Sequence, residues 1–83
     1  MLKGIIRKHI VSTKKHEALV GSKFMEVQIQ ENGELTDKYI VAVDCGVGAG
    51  IDETVLIATG SAARLALRNT DSPCDTVFVG IVD

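Results

Sequence analysis

Residues 23–44, KFMEVQIQENGELTDKYIVAVD, carry the clearest fold signal in this chain. Apolar and polar residues alternate at the start of the stretch, which is the period of a half-buried strand. The apolar positions are Met25, Val27 and Ile29. Asn32-Gly33 follows, and this dipeptide favours a type I′ turn because both central positions need a positive φ. The stretch therefore predicts a β-hairpin whose return strand is KYIVAVD, residues 38–44.

Three other segments are rich in β-branched residues and are predicted to be strands. They are LKGIIRKHIVS (2–12), ETVLIAT (53–59) and TVFVGIV (76–82). A short helix is predicted between the last two, because Ser61 is a good N-cap and AARLALR (62–68) consists of strong helix formers. Short strands with closely spaced turns indicate one domain over residues 1–83, an all-β, five-stranded, closed or nearly closed antiparallel barrel.

Length and composition restrict how such a barrel is stabilised. A chain of 83 residues buries only a little over ~60% of the surface that it exposes when unfolded, so disulfides, a metal or self-association are the usual supports. Cys45 and Cys74 are the only cysteines and no apolar leader precedes the first strand, so we expect a reducing cytoplasm and free thiols, with a single bridge between the two cysteines as the alternative. The longest apolar runs are far shorter than the ~20 residues of a membrane span, which predicts a soluble protein with no membrane partner.

The stretch DCGVGAG, residues 44–50, is rich in glycine and raises the question of a phosphate-binding loop. Nucleotide loops of the G-x-G-x-x-G and G-x-x-x-x-G-K-[ST] types lead from a strand into a helix. Here the spacing is G-x-G-x-G, no lysine follows, and the next element is a strand. The phosphate interpretation therefore fails, and the glycines serve positive-φ positions, close approach of another backbone, or a ring of such loops around a symmetry axis.

No pattern in the chain indicates catalysis, a metal or a cofactor. Histidines and cysteines lack metal-ligand spacing, being scattered at His9, His16, Cys45 and Cys74. Three acids flank the glycine-rich stretch, where acids usually act as solvated or capping groups: Asp44, Asp52 and Glu53. An enzyme that uses a cysteine nucleophile stays the weakest of the hypotheses.

A nucleic-acid interface has little support from charge or aromatic content. The formal net charge is −2, and the one basic run is RKHIVSTKKH, residues 7–16. Stacking would depend on three aromatic residues, of which Phe24 and Phe78 are expected in the core and Tyr39 is the third. A module that binds single-stranded nucleic acid or a small anion through residues 7–16 remains the alternative function.

Motifs in the second half of the chain resemble those of the EutN/CcmL family, pentameric vertex proteins of bacterial microcompartment shells. The resemblance lies in VDCGVGAGIDETVLIATGSAAR (43–64) and SPCDTVFVGIVD (72–83), and in the order and spacing of their parts. Three features depart from the usual family pattern. The 44–50 stretch has one residue more before G-A-G, Asp52 stands where Gly or Asn is usual, and many members continue beyond the position of Asp83.

The resemblance implies a barrel related to the oligonucleotide-binding (OB) fold, assembled as a homopentamer that contacts hexameric shell proteins. It implies a structural protein in the bacterial cytoplasm, without enzymatic activity, cofactor or nucleic-acid partner. It also implies residues at or near the subunit interface and the fivefold axis: Gly48, Ala49, Gly50, Ser61, Ala62 and Arg64. In this interpretation Ala49 packs at the contact, Ser61 caps the helix, and Arg64 hydrogen-bonds to a neighbouring subunit.

Overall fold

The computed structural model is a closed five-stranded barrel with one short helix. It describes residues 1–10, 23–44, 46–66 and 75–82, with residues 64–66 described in their backbone only. The elements are β1 (Leu2–Ile10), β2 (Lys23–Glu31), β3 (Glu34–Asp44), β4 (Thr54–Thr59), α1 (Gly60–Ala66) and β5 (Thr76–Val82). The predicted all-β class and the position of the helix between the fourth and fifth strands are confirmed.

The hairpin between β2 and β3 turns at Asn32-Gly33, as the sequence predicts. Both residues have a positive φ, 53° at Asn32 and 80° at Gly33, which a type I′ turn requires. β3 begins at Glu34, four residues before the predicted start, and its pairing with β2 shifts register near Ile29. The hydroxyl of Thr36 donates to the Ile29 carbonyl over 2.8 Å at this irregularity.

The barrel closes in the order β1-β2-β3-β5-β4, and one of its strand pairs is parallel. β3 and β5 meet in parallel at Val43 and Val77, whereas the other four pairs are antiparallel. A closed ring with an odd number of strands cannot alternate direction throughout, so one parallel pair is unavoidable. The expectation of a wholly antiparallel barrel was wrong for this reason.

The barrel interior is filled by the inward-facing side chains of all five strands. The main core cluster consists of Ile6, Met25, Val27, Ala42, Ala49, Val55, Ile57 and Phe78. A smaller cluster joins the helix to the barrel through Ala58, Ala63 and Val77. Met25, Val27 and Ile29 all lie inside, which confirms the alternation in β2, and Phe78 is buried as predicted. Phe24 is only half-buried and lies outside both clusters, so its assignment to the core was wrong.

The helix begins two residues before the predicted helical segment 62–68. It starts at Gly60, whose N–H donates to the Asp75 carbonyl over 2.8 Å and so connects the start of the helix to the start of β5. Ser61 therefore lies in the first turn of α1, and its role as the cap of this helix stays a prediction. In the part of the chain that the structure describes, no helix is long and apolar enough to span a membrane.

Candidate subunit-interface site

The glycine loop, defined as residues 46–50, is organised by the carboxylate of Asp44 at the end of β3. This side chain is buried, with 4% of its surface exposed, and it accepts three backbone hydrogen bonds. Val47 and Gly48 donate to Oδ1 over 2.8 and 3.2 Å, and Ala49 donates to Oδ2 over 2.8 Å. Because consecutive N–H groups point at one carboxylate, the loop folds back around the end of its own strand.

A second acid fixes the far end of the glycine loop. The carboxylate of Glu53 accepts a 2.6 Å hydrogen bond from the N–H of Gly50, and the N–H of Glu53 donates to the Gly50 carbonyl over 3.2 Å. Two more backbone bonds join this turn to β1, from Asp52 to the Ile6 carbonyl and from Ile6 to the Glu53 carbonyl. The loop is therefore held by hydrogen bonds at both ends.

Arg7 connects this turn to the outer face of the barrel. Its Nη1 lies 3.2 Å from Oδ1 of Asp52, and its Nε donates to Oε1 of Gln28 over 2.9 Å. Gln28 in turn donates to the Thr36 carbonyl over 2.8 Å, so a polar chain runs from the loop across β1 and β2 to β3. Sequence patterns did not reveal this series of hydrogen bonds, because the residues that form it are far apart in sequence and none belongs to a short motif.

Each of the three flanking acids has a partner within the fold. Asp44 and Glu53 are occupied by backbone N–H groups, and Asp52 is paired with Arg7. A shallow depression of about 160 Å³ lies beside Asp44, lined also by Lys23, Gly46 and Gly48. Within the described ranges, no three His, Cys, Asp or Glu side chains are grouped so that they could hold a metal ion.

The basic run of residues 7–16 is described only as far as Ile10. Arg7 is engaged with Gln28 and Asp52, and Lys8 and His9 are exposed, while residues 11–16 lie outside the described part. Of the three aromatic residues, only Tyr39 is exposed. Stacking of successive bases needs several exposed rings on one face, so the surface does not favour the nucleic-acid alternative.

The six candidate interface residues fall in two places, at opposite ends of β4. Gly48, Ala49 and Gly50 precede this strand, and Ser61, Ala62 and Arg64 follow it in α1. Gly48, Ser61 and Ala62 are exposed, Gly50 is half-buried, and the side chain of Arg64 lies outside the described part. A single chain thus does not bring the two groups into one cluster.

Ala49 is the candidate whose environment differs from the expectation. Only 4% of its surface is exposed, and it packs in the main core cluster of its own barrel. Its N–H is drawn inward by the Asp44 carboxylate, which turns its methyl group away from the surface. The expectation that Ala49 packs against a neighbouring subunit was therefore wrong for its side chain.

The two glycines on either side of Ala49 differ in their backbone φ and in the space around a side chain placed there. Gly48 has a φ of 77°, in the left-handed region that favours glycine, and a Cβ placed there would meet nothing within 4 Å. Gly50 has no positive φ, and a Cβ there would meet only Oε1 of Glu53, at 3.4 Å. The backbone of a single chain therefore requires glycine at position 48, because of its positive φ, but does not require it at position 50.

Fold and site together define a small OB-like barrel that carries a hydrogen-bonded surface loop. The sequence profile of the family described as "Ethanolamine utilisation protein EutN/carboxysome" matches residues 1–83. The chain belongs to this EutN/CcmL family.

Curated relatives from two branches of the family cover most of the chain. The carboxysome shell vertex protein CcmL of Nostoc sp. is 48% identical over 79 residues, which are 94% of this chain and 78% of the relative. The bacterial microcompartment shell vertex protein EutN of Salmonella typhimurium is 39% identical over 80 residues, 95% of this chain and 80% of the relative.

A solved structure supports the same membership. The GrpN pentameric microcompartment shell protein from Rhodospirillum rubrum superimposes with a TM-score of 0.87 at 38% identity, over 100% of this chain and 94% of the other. The family suspected from the motifs is thereby confirmed.

Proposed function

We propose that this chain is a structural shell protein that forms a cyclic homopentamer at the vertices of a bacterial microcompartment. The observation that carries the proposal is the match along the whole barrel to shell vertex proteins and to a pentameric shell protein. The assembly resides in the bacterial cytoplasm, within the shell, and its partners there are hexameric shell proteins.

The physical basis is the closure of a ring by one repeated contact. A heterologous contact joins two different surfaces of a subunit, and the ring closes when the rotation between neighbours divides a full turn. Five wedge-shaped barrels related by such a contact make a fivefold plug. A sheet of hexagonal tiles closes into a polyhedron when fivefold units occupy its corners, which is the role of a vertex protein.

The acids of the loop support a structural function in place of catalysis. Asp44 accepts the N–H groups of Val47, Gly48 and Ala49, and Glu53 accepts that of Gly50, so both acids have a structural role in the loop. We therefore infer that the protein is not an enzyme and needs no cofactor. The glycine loop is a surface loop whose conformation these acids hold fixed.

Candidate contact residues follow from this function. Gly48 and Gly50 lie in the glycine loop before β4, and the other candidates lie on α1 after it: Ser61, Ala62 and Arg64. A neighbouring subunit that covers both ends of β4 therefore contacts both groups. Arg64 hydrogen-bonds to a carboxylate or carbonyl of that neighbour. Arg64→Ala should then weaken the ring without changing the barrel.

The decisive measurement is the mass of the assembled protein in solution. Native mass spectrometry or sedimentation at micromolar concentration should give five times the chain mass of 8.9 kDa. A monomer under those conditions would contradict the assembly. Binding of single-stranded nucleic acid at low salt, weakening as salt increases, would support the alternative function instead.

A further inference from the structure

The outer face of β3 carries a stripe of three large apolar side chains. Leu35, Tyr39 and Val41 are 46%, 52% and 51% exposed, although most of the apolar residues of the other strands face inward. Their neighbours on β2 are polar, Gln30, Gln28 and Glu26 respectively. Large exposed apolar residues along one strand mark a surface that another molecule covers.

A second outer surface, on β4 and β5, has open space at its centre. Gly80 faces outward opposite Leu56, and a Cβ placed there would meet no atom within 4 Å. Val79 beside it is the extra residue of a bulge and is 38% exposed. We call this surface the Gly80 shelf, formed by Leu56, Val79 and Gly80; it leaves room beside an apolar side chain for a residue from outside.

Lys3 lies beside the centre of the Gly80 shelf, while the acids Glu53 and Asp75 directly precede the two strands that form it. β4 and β5 contain no charged residue, and the nearest cation on the adjoining strand is Lys3, which pairs with Leu56. Acidic side chains outnumber basic ones along the β3 stripe and its hairpin. The acids of the hairpin are Glu26, Glu31, Glu34, Asp37 and the buried Asp44; its cations are Lys23 and Lys38, of which Lys38 is paired with Glu31.

We propose that the β3 stripe of one subunit docks on the Gly80 shelf of the next copy of this chain. Tyr39 enters the space above Gly80, and the acidic border of the stripe faces Lys3. The stripe belongs to β3 and the shelf to β4 and β5, so the contact joins two unlike surfaces, as a heterologous contact requires. The proposal rests on the pentameric function above and specifies which walls join its subunits.

Tyrosine is suited to this role because it covers a large area at a small cost in conformational entropy. Buried aromatic anchors near the centre of a contact contribute most of its binding energy. The half-buried Gln28 beside Tyr39 is held by Arg7 and by the Thr36 carbonyl, so the floor beneath the anchor is already ordered in the free subunit. Pre-ordering of this kind lowers the cost of association.

The first test compares disruptive with conservative variants at the two central positions. Tyr39→Asp and Gly80→Phe should raise the concentration for half-assembly at least about tenfold, whereas Tyr39→Phe and Gly80→Ala should assemble as the unchanged chain does. Circular dichroism and a cooperative unfolding transition check that each variant is folded. If the unchanged chain is pentameric and both Tyr39→Asp and Gly80→Phe form equally stable pentamers, the proposed contact is wrong, while the vertex function still holds.

The second test maps the contact without relying on destabilisation. In a background with Cys45→Ser and Cys74→Ser, Tyr39→Cys and Gly80→Cys are placed in separate chains and co-expressed, and mild oxidation should give covalent dimers. Either single variant alone should stay uncrosslinked, because the contact joins unlike surfaces. Efficient crosslinking of Tyr39→Cys to itself, or no crosslinking in the mixed pentamer, would overturn the proposal.

Two further outcomes separate this proposal from its alternatives. A monomeric unchanged chain would overturn the vertex function together with the contact. If Tyr39→Asp stays pentameric but no longer binds sheets of hexameric shell protein, the stripe faces the tiles, and the proposed contact between copies is wrong.

Discussion

Asp44 is the residue on which the shape of the glycine loop most depends. Its two oxygens accept the N–H groups of Val47, Gly48 and Ala49 in a buried position. Asp44→Asn replaces one acceptor by an NH₂ donor that faces another donor. We expect the free energy of unfolding to fall by about 2 kcal/mol, the cost of leaving buried donors without an acceptor.

Urea unfolding of Asp44→Asn at one fixed protein concentration measures this loss, since assembly makes stability depend on concentration. The matched control is Asp37→Asn, an exposed acid on β3, which should stay within about 0.5 kcal/mol of the unchanged chain. Equal effects of the two substitutions would contradict the structural role of Asp44.

Asp52 occupies a left-handed backbone position that its side chain tolerates. Its φ is 68°, and aspartate and asparagine adopt this region more easily than other non-glycine residues. A backbone of this kind suits Gly or Asn as well as Asp. The pair with Arg7 contributes little, because 77% of the Asp52 side chain is exposed.

Backbone strain therefore predicts the order of stability among variants at position 52. Asp52→Asn should unfold at nearly the same urea concentration as the unchanged chain, while Asp52→Ala should lose about 1 kcal/mol because alanine is strained at positive φ. If Asp52→Asn lost as much as Asp52→Ala, the ion pair with Arg7 would be the more important contribution.

At the scale of the elements, the distance between β1 and β2 depends on a glycine. Gly4 faces inward, and a Cβ there would lie 2.5 Å from Cγ1 of Val27 and 2.6 Å from the Gln28 carbonyl oxygen. Backbone cannot yield as a flexible side chain does, so Gly4→Ala must push the two strands apart. We expect a loss of about 2 kcal/mol, typical of overpacking.

Gly80→Ala serves as the control for Gly4→Ala, since both glycines lie in strands and only one is crowded. A Cβ at Gly80 meets nothing within 4 Å, so this variant should keep the stability of the unchanged chain. Thermal unfolding of both variants at equal concentration distinguishes crowding from a general effect of adding a methyl group to a strand.

The sequence predicted the elements well where a local pattern determines them. Alternation in β2 and the Asn32-Gly33 turn depend on neighbouring residues, and both are confirmed. The register shift of β3 near Ile29 depends on hydrogen bonds from Thr36 and Gln28, which no local pattern shows. The parallel pairing of β3 with β5 follows from barrel closure, which is a property of the whole chain.

The candidate site was predictable only in part for the same reason. The strand expected after the glycine loop, on which the rejection of the phosphate interpretation partly rested, is confirmed as β4. The inward position of Ala49 could not be predicted, because it results from the direction in which Asp44 draws the loop N–H groups. Contacts with a neighbouring subunit stay a prediction, and they need a test that separates assembly from folding.

At the scale of the whole molecule, Gly48 and Gly50 provide that test, because one chain requires only the first of them to be glycine. Gly48→Ala places a methyl group on a backbone with a φ of 77° and should lower the free energy of unfolding of the barrel by about 1 kcal/mol. Gly50→Ala adds a methyl group whose single neighbour, at 3.4 Å, is the end of the flexible Glu53 side chain. The barrel of Gly50→Ala should therefore unfold at the same urea concentration as that of the unchanged chain. If a neighbouring backbone approaches Gly50, however, the pentamer of this variant should dissociate at a higher protein concentration. Sedimentation across a dilution series, combined with urea unfolding of the same samples, measures the two effects separately. A pentamer of unchanged affinity in Gly50→Ala would remove this residue from the subunit contact and leave the local hydrogen bond to Glu53 as its role.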